Sequence, residues 1–76
     1  MNPAKEIIRA FGGLRAAQRA LGEKHINLLQ NWQKTGRIPH YREGQIRGAA
    51  ERLNVQLPQK VMRSAFPPEA RPGGAA

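Results

Sequence analysis

Apolar residues recur along most of this chain at three- and four-residue steps, the spacing of one face of an α-helix, and glycine or proline breaks the pattern at short intervals. Asn2 followed by Pro3 reads as a helix start, an N-cap side chain and then proline at the first helical position. Ile7, Ile8 and Phe11 form the buried face of this first helix, and Gly12-Gly13 ends it. A second helix runs from about Gly13 to Leu21, with Leu14, Ala17 and Leu21 on one face, and Gly22 supplies the left-handed stop. A third runs from about Lys24 to Thr35, with Leu28, Leu29 and Trp32 as its apolar stripe and Gly36 as its stop. Arg37-Ile38-Pro39 is an extended connector, because proline biases its predecessor away from helix. A fourth helix is expected from about His40 to Leu53, burying Ile46, Ala49, Ala50 and Leu53, with Asn54 as a left-handed end. Pro58 opens a last short helix through Phe66, with Val61, Met62, Ala65 and Phe66 apolar. No segment reads as a strand and nothing repeats. The expected fold is all-α, with one domain over 1–66 and a disordered Pro-, Gly- and Ala-rich tail over 67–76.

Charge changes this picture. Thirteen Lys and Arg stand against five Glu, a net charge of +8. Residues 1–66 carry 12 of the cations and 4 of the carboxylates, so the whole excess belongs to the expected domain. A small basic domain attracts polyanions, most often nucleic acid. A 76-residue chain also buries a limited core, which makes a homodimer a natural way to gain buried surface. There is no cysteine, which excludes disulfides and thiolate metal sites and is compatible with a reducing cytosol. No apolar run approaches the ~20 residues of a membrane span, and the first residues lack a signal-peptide core. The expectation is a cytoplasmic protein.

The second and third helices, joined by a glycine-containing turn, have the layout of a helix-turn-helix over about 13–35, whose second helix can enter a DNA major groove. Opposite its apolar stripe the third helix carries Asn27, Gln30, Asn31 and Lys34, spaced i, i+3, i+4 and i+7. Any surface helix has polar residues at these steps. Asn and Gln, however, are mediocre helix formers beside Glu, Lys or Ala, and they are the side chains that pair bidentately with adenine N6 and N7. That tips the reading toward base contact, most of all for Gln30 and Asn31.

Phe11-Gly12-Gly13, Ala20-Leu21-Gly22, Trp32 and Gly36-Arg37-Ile38-Pro39, leading into an alanine-rich helix that ends near Asn54-Val55, together resemble the Cro- and repressor-type phage regulators. The wording is most similar to the YdaS-type, Cro-like subgroup, over about residues 4–58. The resemblance implies a five-helix, lambda-repressor-like domain that regulates transcription, typically by occluding a promoter, in a phage, prophage or bacterium. Two features depart from the pattern. From Gly22 to Trp32 the chain is one residue longer, which remodels the turn. Gln18 stands four residues before Gly22, where such motifs place Ala, so it must reach a partner or solvent.

Around the third helix, Arg15, Arg19, Lys24, His25, Arg37, Tyr41 and Arg42 are candidates for holding phosphate oxygens, against the plainer role of solubilising charge. His25 could equally fill the turn. A metal role for His25 and His40 is disfavoured by the absence of Cys, of Asp and of a second histidine at ligand spacing. Trp32 could stack on a base, but its place in the stripe makes it core. Val55, Leu57, Val61, Met62 and Phe66 could cap the core or form a dimer surface. Two-fold DNA half-sites favour the second. With no Asp, no Cys, one Ser and scattered Glu, nothing suggests catalysis, a cofactor or a small-molecule ligand. Two other readings remain open: a nonspecific, nucleoid-type DNA binder, and an antitoxin- or adaptor-like module that binds a second regulatory protein.

Overall fold

The computed structural model describes residues 2–67; residues 68–76, where the tail was expected, lie outside the described residues. Within them the chain forms five α-helices and no strand. They are α1 (Pro3–Ala10), α2 (Leu14–Leu21), α3 (Ile26–Thr35), α4 (Glu43–Leu53) and α5 (Gln59–Ala65), with a 3-10 turn at His40–Arg42. The Asn2 side chain accepts the Lys5 amide at 3.0 Å and Pro3 opens the first turn, as the residue types dictate.

Helix ends follow from where a left-handed residue is available. Gly22 (φ 69°) sends its N–H to the Arg19 carbonyl while the Glu23 N–H returns to Gln18, a Schellman closure of α2. Asn54 (φ 57°), the sole non-glycine residue with positive φ among those described, closes α4 the same way through Glu51 and Ala50. A short amide side chain tolerates that backbone.

The core is one cluster. Ile7 and Ile8 of α1 and Phe11 just after it meet Ala17 and Leu21 of α2, Leu29 and Trp32 of α3, Ile46, Ala49 and Ala50 of α4, and Val61, Met62 and Phe66 at the C-terminal end. α1 packs on α2, α3 and α5, and α2 packs on α3 and α4. Ala17 and Ala20 of α2 and Ala49 and Ala50 of α4 are all buried.

Four expectations change. Gly13 is the N-cap of α2, not its first residue, because its φ of 117° is not helical. The third helix begins at Ile26, since the Schellman closure and an extended His25 (φ −118°, ψ 119°) spend residues 22–25 in the turn. The fourth begins at Glu43, because Pro39 lets the chain re-enter helix only through the tight turn at 40–42, closed by Arg42 N–H to Pro39 O at 3.0 Å. Leu53 is 49% exposed rather than buried, because α5 turns away to pack on α1 and leaves it uncovered.

Candidate nucleic-acid interface

The outer face of α3 is where the sequence-picked residues come together. Asn27, Gln30, Asn31 and Lys34 are all exposed, on the side opposite buried Leu29 and Trp32. Among the described residues no hydrogen bond or ion pair engages these four side chains. Leu28, expected in the apolar stripe, is only partly buried. With Asn31, Thr35 and Arg37 it lines an open groove floored by Trp32, Ile38 and Pro39, of about 380 Å³.

The helix presenting this face is fixed at both ends. At its C-terminal end two carbonyls of the last turn, those of Trp32 and Gln33, find partners outside the helix, and that of Asn31 gains a second donor. The Thr35 hydroxyl donates to the Asn31 carbonyl at 3.0 Å, the Gly36 amide to Trp32 at 2.8 Å, and the Asn2 amide nitrogen to Gln33 at 2.7 Å. Asn2 thus caps α1 with its oxygen and α3 with its nitrogen. The Thr35 hydroxyl also accepts the Arg37 N–H at 3.3 Å, which ties the connector to the helix. At the N-terminal end His25 offers no side-chain cap. Gln18 Nε2 reaches the Lys24 carbonyl at 3.3 Å, so the residue that departs from the usual small one braces the lengthened turn.

Arg42 is the second brace. Its guanidinium donates to the Glu23 carboxylate and to Gln45 Oε1 at 2.9 Å, and lies 5.6 Å from the Trp32 ring centroid and 5.3 Å from that of Tyr41. Burial opposes the charge, yet hydrogen bonds to Tyr41 and Glu23 and the Glu23 charge outweigh it and raise the Arg42 pKa above the ordinary guanidinium value. Gln45 Nε2 in turn donates to the Leu21 carbonyl at 2.6 Å, and Arg52 to that of Ala20 at 2.7 Å. Two α4 side chains therefore cap the end of α2.

These contacts correct several expected roles. Arg42 was a candidate for phosphate contact, but its charge is spent on Glu23 inside the fold. Arg19 is exposed on another side, in a shallow cavity with Phe11, Ala16, Ala20, Arg52 and Leu53, away from the α3 groove. Val61, Met62 and Phe66 were weighed as a dimer surface, but they are 8%, 2% and 1% exposed within the single chain because α5 lies on α1. Val55 and Leu57 are half-buried against the same core. Trp32 is core, 2% exposed. Arg15, Lys24, His25 and Arg37 are exposed and have no acidic partner among the described residues, and Tyr41 is 78% exposed. His40 packs its ring edge against Phe66 at 5.9 Å between centroids.

The bracing by Gln45, Arg52 and the second bond of Asn2 carried no signal in the sequence, since each partner is a backbone carbonyl far along the chain. Thr35 did carry one, as a hydroxyl beside a helix-stopping glycine. No group of His, Cys, Asp or Glu among the described residues could hold a metal ion, and no helix among them is long and apolar enough to cross a membrane. Comparison with family models, with curated proteins and with solved structures gives no match for this chain.

Proposed function

We propose that this protein is a sequence-specific, double-stranded DNA-binding regulator of transcription, in which α2 and α3 act as a helix-turn-helix and α3 lies in the major groove. The observation that carries the reading is the exposed row Asn27, Gln30, Asn31 and Lys34, unengaged by any hydrogen bond or ion pair among the described residues, on a helix braced at both ends. Amide side chains held on a rigid helix suit the paired donor and acceptor of adenine N6 and N7. Arg15, Lys24 and Arg37, with no acidic partner among the described residues, supply positive charge for phosphate oxygens. Arg42 acts behind this surface, not on it.

The likeness to Cro-type phage regulators supports repression by promoter occlusion in a bacterial cytoplasm. Two-fold operators call for two copies. With Val61, Met62 and Phe66 internal, exposed Leu53 and half-buried Val55 and Leu57 are the candidates to join them.

Selection of bound duplexes from a random library tests the reading. One enriched motif is expected, bound far more tightly than random DNA at matched salt, and Asn31→Ala loses about 1–3 kcal/mol on that motif with little change on random duplex. Equal affinity for every duplex would make the protein a nonspecific, charge-driven binder.

A further inference from the structure

The groove beside the amide row has a chemistry that phosphate and base-edge hydrogen bonds leave unused. Its wall is Leu28, half-buried one turn before Asn31, and its floor is Trp32, Ile38 and Pro39. The polar rim is Asn31, Thr35 and Arg37. The Thr35 hydroxyl is already committed, donating to the Asn31 carbonyl and accepting the Arg37 amide. An apolar recess therefore opens directly beside a side chain suited to adenine, under an arginine suited to phosphate. On the major-groove edges of B-DNA, the apolar group that projects from a natural, unmodified base pair is the C5-methyl of thymine.

We infer that the Leu28–Thr35 groove receives a thymine methyl next to the base pair read by Asn31, making Leu28 a specificity-determining residue for an A·T-containing step. The inference rests on α3 entering the major groove. Burial of one methyl group there corresponds to a discrimination of about three- to five-fold. Arg37 sets the depth of approach, because Thr35 fixes its backbone to the last turn of the helix.

The test uses the full chain and a duplex obtained by selection. Each thymine of the enriched site is replaced in turn by deoxyuridine, which keeps the base pair and deletes the methyl, and then by 5-bromodeoxyuridine, whose bromine has nearly the methyl's size. One position, adjacent to the pair sensitive to Asn31→Ala, is expected to lose three- to five-fold with uracil and to recover with bromouracil. In Leu28→Ala, checked for folding by circular dichroism, the uracil penalty at that position disappears. The bromouracil series on the unmodified protein stands by itself if that variant does not fold. A selected site whose affinity is indifferent to uracil at every thymine overturns the inference while leaving base reading by α3 intact. Failure of selection to enrich any site overturns both. A uracil penalty that persists unchanged in folded Leu28→Ala assigns the methyl contact elsewhere and also overturns the inference.

Discussion

Replacing Arg42 by Met deletes a guanidinium that touches three parts of the fold while keeping most of the side-chain volume. Glu23 lies in the α2–α3 turn, Trp32 in α3 and Gln45 in α4, and Arg42 contacts all three. Exposed ion pairs contribute ~0–1 kcal/mol, whereas breaking a fully buried one costs ~3–5 kcal/mol. Both side chains here are 18% exposed, so the figure for a fully buried pair is discounted for solvent. Loss of the pair should then cost about 2 kcal/mol, and loss of the contact with the Trp32 face about 0.5–1 kcal/mol more. A domain of this size shifts its Tm by ~4–8 °C per kcal/mol, so Arg42→Met should melt about 10–24 °C lower. Glu23→Gln leaves a neutral acceptor for the same donor and should cost about half as much. Urea and thermal melts of the wild type, both single variants and the double variant close a cycle, with an expected coupling of about 1–2 kcal/mol. Because the pair is shielded, the coupling should survive high salt, where the Debye length falls to ~3 Å. A coupling below about 0.5 kcal/mol, or one abolished by salt, would show that Arg42 does not brace the turn and would return it to the candidate phosphate contacts.

Other consequences follow from the same contacts. Asn2→Ala should cost about 1–2 kcal/mol in urea denaturation through loss of the α1 cap, whereas Asn2→Asp keeps the cap acceptor but not the donor to Gln33, and should fall between Ala and wild type. Phe66→Ala should cost about 3–5 kcal/mol, by an amount independent of protein concentration, because Phe66 fills the core of one chain rather than a surface between two. A cost that grows on dilution would restore its place in a dimer interface.

The helices were legible because their punctuation is local. Asn2-Pro3, Gly22, Gly36 and Asn54 each declare a helix end through properties of one or two residues, and the structure uses all four. The outward face of α3 was legible for a similar reason: a 3.6-residue period that buries Leu29 and Trp32 must expose Asn27, Gln30, Asn31 and Lys34. What escaped was the direction of the last helix. Periodicity marks Val61, Met62 and Phe66 as apolar without saying what they meet, and Leu53 was misplaced by the same ambiguity. Arg42 shows the related limit for charge. Its composition is that of a phosphate contact, and only the arrival of Glu23, nineteen residues earlier in sequence, turns it inward.

The side-chain amide signals of Asn27, Gln30 and Asn31 report directly on the central claim. In a heteronuclear NMR titration with the selected duplex, these three pairs of NH₂ resonances should show the largest shifts and enter slow exchange, while that of Asn2, whose amide is hydrogen-bonded to the Gln33 carbonyl, stays in place. Saturated binding that leaves the α3 amides unmoved and perturbs α1 or α5 instead would contradict it.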